Sequence, residues 1–319
     1  MKLTTRFNLP VPIVRAVARD PYDRGPAQYS VSNIIDSPRV QTLQWKFDSE
    51  IEEDVADRVF SLLGRAVHQI LEWGADQDFD ETPEERLFYE LTVGGTTTTV
   101  SGAMDLQETG KKRVAIKDYK VTSVYGFQAD KEAWHNQLNC YAHLVRRAQK
   151  AGIYDPDGRW TLVDRALRDV ESLGIVAILR DWSSGKAKTT ADYPAAAIQE
   201  VAIPLWPAHE AEEYFMERVA LHVKARAKDF AGRELPPCTQ AERWEDDPKW
   251  AVKKKGNKKA TKVFEERQNA VDFIKESSNS ADLIIEERGG EPRRCVGNWC
   301  KVAGWCSQEQ ARLESMEDE

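Results

Sequence analysis

The stretch SGAMDLQETGKKRVAIKDYK, from Ser101 to Lys120, decides how the rest of the chain is read. Asp105 is followed thirteen residues later by Asp118-Tyr119-Lys120, and both acids are set in strand-like sequence. That spacing suits a β-hairpin with two acidic metal ligands and a lysine at one end. Side chains alternate faces along a strand, so Asp118 and Lys120 share one face and Tyr119 takes the other. Two carboxylates supply hard oxygen donors suited to Mg²⁺ or Mn²⁺, ions that polarise a phosphodiester and lower the pKa of an attacking water. Lys120 is placed to orient that water or offset developing negative charge. Alternating charges on a strand also describe an ordinary solvated face, so the surroundings must carry part of the argument.

Upstream, Val55, Val59, Leu62, Leu63, Val67 and Leu71 repeat at helical spacing, which predicts a helix over 52–76. Within it Gly64 is read as permitting close approach of a neighbouring backbone, with His68 one turn on. Downstream, 131–150 is a second amphipathic helix with Gln137 and Tyr141 four residues apart on one face. Between the helices, 88–93, 97–107 and 113–121 read as three strands, with Gly94-Gly95 turning the first into the second.

In order, Gly64-x-x-x-His68, Gly102-x-x-Asp105, Asp118-x-Lys120 and Gln137-x-x-x-Tyr141 resemble the PD-(D/E)XK nuclease superfamily, in particular its RecB-like branch, which also holds the AddB nuclease domain and the CRISPR adaptation nucleases. Met104 stands in the place of the family's eponymous proline. The resemblance implies an α/β fold, a restriction-endonuclease-like core with a central mixed β-sheet flanked by helices. It implies that His68, Asp105 and Asp118 are metal ligands together with the main-chain carbonyl of Tyr119. Asp105, Asp118 and Lys120 would be catalytic, and Gln137 and Tyr141 would line the DNA path.

Of five cysteines, Cys295, Cys300 and Cys306 crowd the carboxyl end and Cys238 stands alone after Pro236-Pro237. Cys140 lies inside the second helix and reads as a small buried apolar residue. The beginning Met1-Lys2-Leu3-Thr4-Thr5-Arg6 lacks the pattern of a secretion signal, and no long apolar run follows. A reducing, cytoplasmic setting is expected, where clustered cysteines favour metal or cluster ligation over disulfides. Iron-sulfur nucleases of the RecB-like branch carry one remote cysteine and a carboxyl-terminal triplet. By that resemblance Cys238, Cys295, Cys300 and Cys306 hold a [4Fe-4S] cluster, with structural Zn²⁺ as the alternative.

At 319 residues, 31% charged and 41% hydrophobic, the chain can bury a substantial core. A net charge of -8 speaks against indiscriminate nucleic-acid binding, yet DNA contact needs only a local basic rim. Candidate rims are Lys111-Lys112-Arg113 with Lys117, and Lys253-Lys254-Lys255 with Lys258, Lys259 and Lys262. The expected organisation is an arm over 1–28, a nuclease core over 29–238, a small insert over 239–294, and a cysteine-triplet staple with an acidic tail over 295–319. Ser30 or Ser32 would cap a short helix; 173–181 and 198–205 read as strands, 183–193 as the loop between them, and 206–233 as a helix. The insert reads as β-β-α-β, and the arrangement around Cys238-Thr239 and Arg294-Cys295 resembles phage and prophage exonucleases.

The function expected from this sequence is a metal-dependent DNA exonuclease acting in phage-type recombination or repair, alone, by self-association, or beside a single-strand annealing protein. The alternatives are a CRISPR-adaptation or host repair nuclease, or a catalytically inactive nuclease-derived DNA-binding protein. No membrane association is expected.

Overall fold

The computed structural model describes residues 1–19, 23–75, 79–110, 113–129, 131–155 and 157–317. The chain divides into two units, Met1–Pro38 with Asp48–Leu235, and Arg39–Phe47 with Pro236–Glu319. The cut differs from the expected one. The first residues fold into the larger unit, while the insert and the cysteine triplet fall together in the smaller one with a segment from near the amino end.

In the larger unit the start of the chain is structured rather than an arm. β1 (Lys2–Thr4) and α1 (Val11–Ala18) precede β2 (Tyr29–Ser30) and α2 (Val31–Ile34). Ser30 accepts the Asn33 N–H while the Asn33 side chain accepts the Ser30 N–H, a reciprocal capping box. α3 (Pro38–Lys46), which apart from Pro38 belongs to the smaller unit, is followed in sequence by β3 (Glu52–Asp54), which pairs in parallel with β1. The expected helix over 52–76 therefore begins late. Asp54 accepts the Ala56 N–H and opens a 3₁₀ turn, and α4 runs only over Val59–Gly74.

The central sheet has eight strands. Its members are β2, β4 (Glu81–Val93), β5 (Thr96–Thr109), β6 (Arg113–Thr122), β7 (Lys150–Tyr154), β8 (Trp160–Asp164), β9 (Asp169–Leu179) and β10 (Ile198–Ile203). The order is β10-β9-β6-β5-β4-β7-β8, with β2 against β5. β6 runs parallel to β9, and the other neighbours in that order are antiparallel. Helices α5 (Val124–Gln128), α6 (Glu132–Arg147), α7 (Ser184–Thr189) and α8 (Ala208–Phe230) complete the unit, making it mixed α/β with a large mixed sheet flanked by helices. α6 ends three residues before the expected helix end at Lys150, where β7 begins, and α7 occupies part of the expected loop.

The core lies where α6 and α8 cover the sheet. Val114, Ile116, Ile175, Ala177, Leu138, Leu144, Phe215 and Val219 are fully buried. Gly102 makes the close approach possible, because a Cβ there would stand 2.7 Å from Leu144 Cδ1 and 2.9 Å from Tyr141 Cε1. Gly64 has no such role, since a Cβ there meets nothing within 4 Å. The reading of Gly64 as a close-approach glycine is corrected accordingly.

In the smaller unit β11 (Lys249–Lys254), β12 (Ala260–Phe264), α9 (Arg267–Glu276) and β13 (Leu283–Arg288) form a β-β-α-β module with sheet order β12-β11-β13. Val252, Ala270 and Leu283 form its core, with Trp250, Phe264, Phe273 and Ile285 packed around them. α10 (Arg293–Val296) and α11 (Ser307–Glu317) follow. Arg39–Phe47, which holds nearly all of α3, belongs to this unit, and the Phe47 ring stacks on Trp305 at 5.1 Å. No helix among the described residues is long and apolar enough to cross a membrane.

Candidate metal centre

The centre sits in a fork of the sheet. β5 and β6 pair from Thr109↔Val114 to Leu106↔Lys117 and then part, while β6 stays paired to β9 through Thr122↔Leu179. Beyond the split, Tyr119 N–H donates to Asp105 Oδ2 at 2.7 Å. A carboxylate thus replaces the strand carbonyl that a continued ladder would have supplied. Asp118 and Lys120 lie on the same strand, held on one side only.

α4 brings His68 to this fork. Its Nε2 lies 3.0 Å from the Tyr119 carbonyl oxygen, and its Nδ1 lies 3.5 Å from Asp105 Oδ1 and 3.9 Å from Glu84 Oε1. The hydrogen bond to Asp105, with a second to Glu84, raises the His68 pKa to about 10 against the opposing effect of burial. The acidic neighbours thus favour the charged form of the ring. The ammonium of Lys120 sits 2.6 Å from Asp118 Oδ2. Burial pushes the Asp118 carboxyl up, and Lys120 pulls against that shift while Asp105 adds to it. Burial disfavours the Lys120 charge, but the adjacent Asp118 more than offsets it and the pKa is raised.

Glu84 is the site residue that the sequence reading misses. One ligand atom each from His68, Glu84 and Asp105 lie within 4.8 Å of one another. Glu84 reaches this position from inside β4 with a left-handed backbone, φ +51°. The expected strand begins at Phe88, which leaves Glu84 in a run of acids that looks solvated. Pro83 pairs with Leu106 and Glu85 with Met104, so the register itself puts Glu84 across from Asp105. Strand length is the signal that could have found it.

On α6, Gln137 Nε2 donates to Tyr141 Oη at 2.9 Å and reaches Asp118 Oδ1 at 3.4 Å. Tyr141 is 6% exposed, and its hydroxyl accepts from the Gln137 side chain that faces Asp118. The first expected basic rim also changes. Lys117 is on the face of β6 opposite to Asp118 and is engaged by Glu108 at 3.0 Å and Glu200 at 3.4 Å. Arg113 pairs with Asp169 at 3.7 Å. Lys111 and Lys112 lie outside the described residues.

In the smaller unit Cys238, Cys295, Cys300 and Cys306 line one cavity together with Arg39, Arg243, Arg294, Glu242 and Glu309. None of the four is in a disulfide, and Cys300 and Cys306 are buried. Arg39 Nε donates to Cys306 Sγ at 3.1 Å, and its Nη1 and Nη2 bond Pro236 O at 3.3 Å and Ser307 Oγ at 2.5 Å. The Gln308 amide pairs with the Cys238 backbone, accepting from its N–H at 2.8 Å and donating to its carbonyl at 3.1 Å. Burial, with nearby Glu309 and the other thiols, pushes Cys295 up to about 11. Cys140 stands apart on α6, fully buried, as read from sequence.

A family profile described as an uncharacterized protein conserved in bacteria, DUF2188, matches residues 241–293, the stretch containing the β-β-α-β module. No curated protein matches the chain. Among solved structures, the crystal structure of SSO0001 is similar at 15% identity and a TM-score of 0.41, covering 66% of this chain and 82% of that one.

Proposed function

We propose that the larger unit is a metal-dependent DNA nuclease with a restriction-endonuclease-like core, related to the RecB-like branch of the PD-(D/E)XK superfamily. The observation that carries this reading is the meeting, at one fork of the sheet, of His68, Glu84, Asp105, Asp118, Lys120 and the Tyr119 carbonyl. The donor set fits a hard divalent ion, being oxygen-rich with a single imidazole. Bound there, Mg²⁺ or Mn²⁺ would act as Lewis acid toward the phosphodiester and lower the pKa of the attacking water.

The chain's own residues divide the remaining work. Asp105 and Glu84 hold His68, whose Nδ1 proton must leave before the ring can act as a ligand. Gln137 fixes one oxygen of Asp118, and Lys120 fixes the other. In that position the Lys120 ammonium can orient a water or neutralise charge developing on phosphate oxygens. The expected substrate is DNA, and exonuclease action in phage-type recombination or repair, in the cytoplasm, is the role this site would serve. Incubation with labelled DNA in Mg²⁺, Mn²⁺ or EDTA tests it: cleavage that EDTA abolishes supports the reading, and no cleavage with either ion sinks it.

The cysteine cavity fits a [4Fe-4S] cluster. Four thiols line one space together with the guanidiniums of Arg39, Arg243 and Arg294 and the carboxylates of Glu242 and Glu309, a thiol-rich lining of the kind an all-thiolate centre uses. Zinc would draw four thiolates to a spacing of about 3.8 Å around Zn–S bonds of about 2.3 Å.

A further inference from the structure

We infer that the hairpin β11–β12 is a second nucleic-acid contact, a sequence-independent grip on the DNA phosphate backbone. Residues 249–262 read KWAVKKKGNKKATK, with seven lysines and no acid in a chain of net charge -8. Two of the lysines are neutralised locally, Lys249 by Glu265 and Lys253 by Glu286. Lys262 lies over the rings of Phe264 and Phe273. The remaining four, Lys254, Lys255, Lys258 and Lys259, are exposed at the tip, and none has an ion-pair partner among the described residues. The tip is also fixed in place. Lys255 N–H bonds the Asp282 carbonyl at 2.8 Å, Asn257 N–H bonds the Lys254 carbonyl at 3.0 Å, and Gly256 makes the turn at φ +81°.

Four unpaired like charges on a short rigid turn repel one another, and a polyanion relieves that repulsion. Nucleic acid fits better than a lipid surface, because stable membrane attachment of a polybasic patch takes a second, apolar anchor. The tip sequence Lys254-Lys255-Gly256-Asn257-Lys258-Lys259 offers no apolar side chain. Because lysines carry the contact through phosphates rather than base edges, it supplies affinity without sequence preference.

The test does not depend on catalysis, because binding is measured in EDTA. Fluorescence anisotropy of the full chain with two unrelated short labelled duplexes, over a salt series, should give equal affinity for both. Lys254→Gln, Lys255→Gln, Lys258→Gln and Lys259→Gln together should weaken binding at least about tenfold. They should also reduce the slope of log K against log salt by about 3 to 4, near 0.9 for each phosphate that no longer has a lysine to neutralise it. The same four positions changed to Arg should retain binding. The double variant Lys258→Gln, Lys259→Gln should lower the slope by about 2, which keeps the test intact if the fourfold change unfolds the module. Unchanged affinity and slope in the glutamine variants would overturn the inference. So would binding of the chain to phosphatidylserine vesicles with none to DNA.

Discussion

Asp105 closes the gap that opens between β5 and β6: its Oδ2 accepts the Tyr119 N–H at 2.7 Å just beyond the last paired residues, Leu106 and Lys117. One carboxylate therefore serves the fold and the site together. Asp105→Asn keeps an oxygen that can accept this bond, so cleavage should be lost with little change in melting temperature. Asp105→Ala leaves the donor unpaired and should in addition cost about 1–3 kcal/mol. Equal melting temperatures for the two variants would show that the hydrogen bond contributes nothing.

Glu84 holds the same imidazole as Asp105, and its left-handed backbone is a local cost accepted to put it there. Glu84→Gln should weaken Mn²⁺ binding by about tenfold, as removal of a carboxylate partner at a metal site does. Calorimetric titration with Mn²⁺ reads this directly. An unchanged affinity would remove Glu84 from the site.

His68 would tie the proposed metal site to pH. Its pKa in the folded, metal-free chain is raised to about 10 from an ordinary value of 6.5. A raised base contributes stability that is fully present below pH 6.5 and is lost as pH climbs through about 10. Metal-free protein should therefore lose stability across that window, while Mn²⁺ affinity should rise about tenfold per pH unit below pH 9 as ligation displaces the proton. His68→Gln should flatten both dependences. A wild-type affinity independent of pH would show that His68 is not a ligand.

The buried histidines work in the opposite direction. Burial lowers His143 and His222 to about 4, with His143 packed on Phe215 at 4.5 Å and His222 Nε2 at 3.2 Å from the Ile34 and Asp36 carbonyls. Between pH 6.5 and 4 the unfolded chain binds protons that the folded chain refuses, so stability should fall as pH drops through that range. Thermal melts from pH 7.5 downward should show it, with a shallower decline in His143→Gln.

Gly64 supplies a test of a residue the structure does not need. It is helical with open space at its Cβ position, so Gly64→Ala should stabilise the chain by about 0.5–1 kcal/mol. A lower melting temperature would mean that the position is sterically constrained after all.

The parts of this molecule legible in the sequence are those with strong periodicity. The strands around Asp105 and Asp118 carry long β-type runs, with Val114, Ile116 and Asp118 alternating as buried residues, and the module from Lys249 to Arg288 shows its β-β-α-β order through β-branched runs broken by Gly256. β1 and β3 are invisible there because three residues carry no period, and what makes them strands is their pairing with each other. The start of α4 is hard to place because Val55 continues the helical apolar spacing, whereas the Asp54 side chain caps a 3₁₀ turn there instead. The second expected helix runs on to Lys150 because the sequence offers no stop signal before Gly152, whereas Lys150 already pairs with Phe88 and Asp164 at the start of β7. Glu84 is hidden for a related reason, since the acids before Phe88 mask the first half of β4.

The two occupants proposed for the cysteine cavity differ in colour and composition. Anaerobically purified protein should be brown, with about four irons per chain. Cys→Ser at Cys238, Cys295, Cys300 or Cys306 should lower the melting temperature, because assembly free energy is also folding free energy. Colourless protein with one zinc would replace the cluster, and protein with neither metal and normal stability in Cys300→Ser would overturn both.

The central claim is tested most directly by digesting end-labelled linear and covalently closed circular DNA with purified protein in Mg²⁺, Mn²⁺ or EDTA, beside Asp118→Ala and Lys120→Ala. The account predicts metal-dependent shortening of the linear DNA by the wild type, sparing of the circle, no product in EDTA, and loss of cleavage in both folded variants. Cleavage that persists in either variant, or a wild type inert with both ions, would contradict it.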